Sequence, residues 1–301
     1  MRESDENHLL PDMSESPEQQ MPHDSTKLKT MPLYRDVDRI YKELRAANLD
    51  DVEKLAVADL APFDQYHYHG TDAVDEAIEI LEINETSRVL EIGSGIGGPA
   101  RHIAATTGAH VTALELQADL NETATALTKR CGVEDKVEQV CGDALTYEAG
   151  ERQFDMVVSW LAFFHIPDRT GLLANCYHWL QDGGKMLVED LCALGNPTPD
   201  EQHDLEVLLY SQYLPDRRNY EADYLNAGFL IEQSIDMSAG WRDFTNERYR
   251  HFSNARERHL EVHGKKVFSG LDLFYGTVAR LFAAGNLGGL RIIGHKPGDQ
   301  K

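Results

Sequence analysis

Four stretches of this chain have residue types and spacing that could do chemistry. The first is the glycine loop Glu91-Ile92-Gly93-Ser94-Gly95-Ile96-Gly97-Gly98, which follows a short β-branched run. Glycines let a backbone reach positive φ and approach a ligand closely. Gly93, Gly95 and Gly98 also satisfy G-x-G-x-x-G, the dinucleotide-binding spacing. Glu91 argues for something else, because a carboxylate two residues before the first glycine repels a pyrophosphate yet accepts hydrogen bonds from an ammonium. The second is Glu115, at the end of the next strand-like run, where an acid can accept from both hydroxyls of a ribose. The third is Gly142-Asp143-Ala144, where Asp143 can accept from an adenine amino group. The fourth is Trp160-Leu161-Ala162-Phe163-Phe164-His165. A neutral imidazole with an ordinary pKa of roughly 6.5 can take a proton from a nucleophile or orient its lone pair. His165-Ile166-Pro167-Asp168 could equally just shape a turn.

A second set of residues suits a substrate. Tyr66-His67-Tyr68-His69 alternates rings just ahead of the glycine loop and reads as a lid facing a cation. His67 and His69 lack a third ligand at metal spacing, so no metal is expected. Trp160, Phe163, Phe164, Trp241, Phe274 and Tyr275 are cage candidates, and Tyr213 and Arg217 are candidates for polar substrate contacts. The cysteines Cys131, Cys141, Cys176 and Cys192 form no C-x-x-C pair and read as packing residues.

These groups need elements to hold them. Runs at 88–92, 110–115, 137–140, 154–159 and 185–190 read as strands, with helices at 99–107, 118–131 and 169–180 between them. Strands alternating with helices predict a doubly wound α/β core with a parallel sheet, here over 72–200. Ligands then lie beyond the carboxyl ends of the strands, where all four stretches fall. Residues 1–30, rich in Glu, Asp, Ser, Pro and Gln, read as a disordered tail. Residues 31–71 read as a helical lid, 201–284 as a helical insertion capping the substrate, and 285–301 as a final strand and tail.

The charge balance narrows the partners. Twenty-nine Lys and Arg face 51 Asp and Glu, a formal net charge of −22. That field repels phosphate backbones, so no nucleic-acid partner is expected. No apolar run approaches the roughly 20 residues of a membrane span, and the first residues lack the apolar segment of a secretory signal. The reading is a cytoplasmic monomer or homodimer with no membrane partner.

The order and spacing of the four stretches resemble the motifs of class I methyltransferases over residues 60–195. The resemblance implies a Rossmann-like fold with S-adenosyl-L-methionine as cofactor. It places Glu91, Gly93, Ser94, Gly95, Gly97, Gly98, Glu115, Leu116, Gln117, Asp143, Ala144, Ser159 and Trp160 around that cofactor. A closer resemblance, carried by Cys176–Leu180, Val188–Cys192 and Asp236–Trp241, is to phosphoethanolamine and sarcosine/dimethylglycine N-methyltransferases. It implies methylation of the nitrogen of a small polar amine, with His165 as the catalytic base and Tyr66, Tyr68, His69, Phe164, Tyr213, Arg217 and Trp241 around the substrate. Two departures argue against a phosphorylated amine. Leu191 replaces the tyrosine after the fifth-strand acid, and Tyr210-Ser211-Gln212-Tyr213 lacks the phosphate-binding arginine, although Arg217 and Arg218 lie nearby. The competing readings are a sterol- or tocopherol-type C-methyltransferase, a phosphoethanolamine N-methyltransferase, a non-catalytic cofactor-binding module and a nicotinamide oxidoreductase.

Overall fold

The computed structural model describes residues 25–298. Its centre is a seven-stranded sheet in the order β3-β2-β1-β4-β5-β7-β6. β1 (Arg88–Ile92), β2 (His110–Glu115), β3 (Val137–Cys141), β4 (Phe154–Trp160) and β5 (Leu180–Ala193) run parallel. β7 (Leu287–His295) runs antiparallel between β5 and β6 (Leu230–Asp236). α4 (Thr71–Leu81), α5 (Gly98–Thr107), α6 (Ala118–Cys131) and α7 (Arg169–Trp179) supply the crossovers and flanking layers.

Each strand sends alternate side chains to opposite faces. Leu90, Val157, Met186, Val188 and Ile292 meet Leu172, Leu173, Cys176 and Trp179 of α7 on one face. Val89, Val158, Leu187 and Ile293 meet Val74, Ala77, Ala100 and Ile103 of α4 and α5 on the other. Both faces are covered, as a parallel sheet requires.

Two stretches depart from the sequence reading. Residues 201–284 are not a purely helical insertion. Between α8 (Pro199–Val207) with α9 (Arg217–Asn226) and α10 (Ser238–Asn254) with α11 (Arg256–Ala284) runs β6, an edge strand of the main sheet. Its sequence, Leu-Ile-Glu-Gln-Ser-Ile-Asp, is too polar to show the pattern of a buried strand. The disordered tail drawn to residue 30 also extends too far. Residues 1–24 lie outside the described residues, but α1 (Ser25–Leu28) is helical and Leu28 and Met31 are buried.

The lid segment folds as α2 (Arg39–Ala46) and α3 (Val57–Asp64), fastened from both sides. Asp64 pairs with Arg101 of α5 at 2.9 Å, with both side chains fully buried. Glu43 of α2 accepts from His263 at 2.6 Å and from Arg258, both on α11. His259 lies near enough to complete a possible metal-ligand group with Glu43 and His263, but the Arg258 cation already occupies that carboxylate. α11 also corrects the view that no segment has membrane-spanning length. It spans 29 residues and has a mean hydropathy of 1.2 in its most apolar window. Half of that window is buried here against the rest of the fold.

Candidate active site

The carboxyl ends of β1, β2 and β4, the lid and α10–α11 enclose one cleft. Its empty volume is about 1340 Å³, open solvent at the mouth included. It divides into a half floored by the strand ends and a half walled by the lid and cap.

The first half gathers Glu91, Gly93, Ser94, Gly95, Glu115, Leu116, Gln117, Asp143, Ala144 and Trp160, all expected from sequence. Gly93 sits at φ 75° with its missing Cβ only 2.3 Å from Ala162 Cβ, so any side chain there collides with the loop after β4. Glu115 accepts from the Gly95 and Gln117 amides at 2.9 and 2.8 Å, which ties the glycine loop to the end of β2. A carboxylate oxygen has further lone pairs, so this leaves capacity for ligand hydroxyls. Burial pushes Glu91 up to about 8 and Glu115 up to about 7.

Three expected cofactor residues serve the scaffold instead. Gly97 packs against Arg101 and Gln139. Gly98 lies under the lid, where a Cβ would fall 2.4 Å from the Asp64 carbonyl. Ser159 is fully buried and donates to the Ile92 carbonyl at 2.8 Å, fastening β4 to β1.

Among the described residues, Glu91 Oε2, Ser94 Oγ, Gln117 Oε1 and Trp160 Nε1 are buried polar atoms of the cleft without a hydrogen-bond partner. Such atoms are rare in folded proteins unless a ligand or water satisfies them. A carboxylate, a hydroxyl, an amide carbonyl and an indole N–H fit a ligand with an ammonium, hydroxyls and a carboxylate.

The second half holds His165, Tyr66, Tyr68 and Phe164, as expected, with Phe274 and Tyr275 among the named ring candidates. His165 closes the 3₁₀ turn Phe163–His165 and is buried. Its Nδ1 lies 2.9 Å from the Tyr210 carbonyl, which can only accept, so Nδ1 carries the proton and Nε2 is the acceptor in the neutral ring. Leu161 and Tyr210 flank this turn at φ 53° and 48°, uncommon values for residues with a side chain. A buried group lies beneath the turn. Asp190 accepts from the Phe164 amide at 3.3 Å and from the Tyr220 hydroxyl at 3.0 Å, beside Arg169.

The structure removes four substrate candidates from the cleft. His69 packs its ring against Phe244 at 4.6 Å. Trp241 is fully buried between Tyr68 and Gly289. Tyr213 donates to Asp223 at 2.9 Å. Arg217 is half exposed on α9, held by Glu221 and the Ser234 carbonyl, so neither it nor its neighbour Arg218 lines the cleft. In their place stand Leu28, Met31, Leu33, Tyr34, Leu191, Leu209, Thr245, Arg248 and Val278. The insertion's acidic residues face elsewhere, and its cleft-facing residues are mostly apolar. No periodicity marked Leu28 and Met31, and Arg248 lies in a mixed-charge stretch that reads as a solvated helix face.

The fold is the Rossmann-like α/β fold of methyltransferases. Residues 89–184 match the family model described as a methyltransferase domain. The chain is 29% identical over 206 residues to a phosphoethanolamine N-methyltransferase of Plasmodium falciparum, covering 67% of this chain and 76% of that one. It spans only 32% and 41% of the phosphoethanolamine N-methyltransferases of Triticum aestivum and Zea mays. Among solved structures, Haemonchus contortus phosphoethanolamine N-methyltransferase 2 superposes with a TM-score of 0.73 at 21% identity, covering 85% of this chain and 60% of that one. A Galdieria sulphuraria chain assigned as a sarcosine dimethylglycine methyltransferase gives 0.66 at 15%, covering 75% and 84%. The chain is thus an S-adenosylmethionine-dependent methyltransferase, with its methyltransferase domain at residues 89–184.

Proposed function

We propose that the chain methylates the nitrogen of a small amine. The observation that carries this reading is His165, a buried imidazole held as the Nε2-acceptor tautomer in the wall shared by the two halves of the cleft. When bound, S-adenosylmethionine supplies a methyl group activated by a sulfonium. The chain's own residues do the rest. Glu91 suits the ammonium, Glu115 the ribose hydroxyls, and Asp143 the adenine amino group. His165 Nε2 receives the amine proton or holds the lone pair toward the first half of the cleft. Apolar walls exclude water, and positioning supplies much of the rate in such an in-line displacement. The named relatives' activities on phosphoethanolamine and sarcosine or dimethylglycine support an amine substrate.

A second reading has one specific observation in its favour. The walls Leu28, Met31, Leu33, Leu191, Leu209, Phe274 and Val278 are apolar, as a C-methyltransferase acting on a larger apolar substrate would need. A screen with labelled S-adenosylmethionine against amines, amino acids, phosphorylated amines and sterols separates the two. Label transferred to an amine nitrogen supports the first reading. Label found only on carbon of an apolar acceptor overturns it.

A further inference from the structure

Arg248 stands apart from the buried arginines of this fold. Arg101 pairs with Asp64, Arg169 with Asp190, and Arg291 with Glu189 and Glu76. Arg248, on α10, lines the cleft and is half-buried, yet among the described residues no carboxylate or carbonyl pairs with it. This occurs in a chain where acids outnumber bases by 51 to 29, so a partner was available in composition.

What surrounds Arg248 is aromatic. Its guanidinium carbon lies 5.0 Å from the ring centre of Tyr68, 5.0 Å from Phe244 and 5.2 Å from Tyr275. Rings at these distances attract the cation and restrict its plane. They satisfy none of its five N–H donors, because hydrogen bonds run along the guanidinium edge. A planar donor fork held by rings and lacking an anion is suited to bidentate recognition of a carboxylate or phosphate. Thr245, one turn earlier on α10, lines the same cleft, but its hydroxyl donates to the Arg242 carbonyl at 3.1 Å, which leaves the guanidinium as the donor there.

We propose that Arg248 is the specificity-determining residue of the substrate half, and that the amine substrate carries an anionic group, a carboxylate or a phosphate monoester, bound by its guanidinium. This rests on the amine reading above. It reassigns the anion partner from Arg217, which the surface of α9 holds away from the cleft.

The test compares charged probes with neutral counterparts: sarcosine against sarcosinamide, and phosphoethanolamine against ethanolamine. Binding to the full chain saturated with S-adenosylhomocysteine is measured by calorimetry, and methyl transfer is measured alongside. The wild type should bind at least one anionic probe tenfold or more tightly than its neutral partner. The pair that discriminates identifies the anion as carboxylate or phosphate. Arg248→Gln should weaken that anionic probe by about 10- to 100-fold, as loss of a charge-assisted hydrogen-bonded pair implies, and the neutral probe by less than threefold. Arg248→Lys, which keeps the charge but not the fork, should fall between. Unchanged S-adenosylhomocysteine affinity shows that both variants fold. If neither anionic probe is preferred, or if Arg248→Gln weakens charged and neutral probes equally, the proposal is overturned. Methyl transfer to an uncharged amine in that case leaves the amine reading intact, whereas transfer to no amine at all removes that reading as well.

Discussion

At the residue scale, the proposed function divides the chemistry between acids assigned to the cofactor and a histidine assigned to the substrate. His165→Ala should lower kcat by roughly 10²–10⁴, the range of a general base, and leave S-adenosylhomocysteine affinity nearly unchanged. A fall of less than threefold across pH would reduce His165 to a turn former. Glu91 gives a second expectation. Burial holds its folded pKa near 8 and that of Glu115 near 7, above the ordinary 4.5 of a free side chain. Both groups therefore bind protons in the folded state that an unfolded chain releases. Their stabilising contribution is complete below about pH 4.5 and is lost as pH rises through 7 to 8. An ammonium beside Glu91 favours its ionised form, so binding should release a proton. S-adenosylhomocysteine affinity should rise with pH from 6 to 7.5, approaching tenfold per unit for one proton. Glu91→Gln should flatten that slope, and a flat profile in the wild type would contradict the assignment. These acids were legible in the sequence because each lies next to a strand end that composition marks. Arg248 was not legible, because only Phe244 is its neighbour along α10, whereas Tyr68 comes from the lid segment and Tyr275 from α11.

At the element scale, most of the parallel core could be read from alternating patterns, with β1, β2 and α6 matched at both ends and the other boundaries displaced by a few residues. The failures share a cause. β6 is a polar edge strand, recognisable only by its pairing with β7, and α1 is a short turn of helix inside an acidic, low-hydrophobicity stretch. Leu28 and Met31 also reverse an expectation drawn from composition. A chain beginning at Pro32 should have kept its activity if everything before it were dispensable. Instead, that truncation removes two buried side chains from the cleft wall, each worth at most roughly 1.5–3 kcal/mol of burial. Compared with a chain beginning at Ser25, it should melt several degrees lower and show a raised KM for substrate. Equal melting temperature and KM in the two would mean that the α1 turn contributes nothing to the cleft.

At the scale of the whole molecule, a net charge of −22 surrounds a cleft that must admit a cation. S-adenosylmethionine carries one net positive charge at neutral pH, and its demethylated product carries none. Raising ionic strength from about 20 to about 200 mM screens the long-range field, so the cofactor's association rate should fall several-fold while the product's hardly changes. Stopped-flow traces with equal salt dependence for both would rule out steering by the overall charge. The placement of β7 also bears on how the chain is made. That strand follows every other described element, yet it lies inside the sheet, hydrogen-bonded to β5 on one side and β6 on the other. During synthesis β5 must therefore wait with an open edge while α8 to α11 emerge, and β6 waits through α10 and α11 with no strand joining it to the sheet. Such long-range closure is slow, and exposed edges invite pairing between chains. A nascent or prematurely terminated chain lacking residues 287–295 is thus the species most in need of a chaperone, even though every residue assigned here to cofactor and substrate would already be present in it.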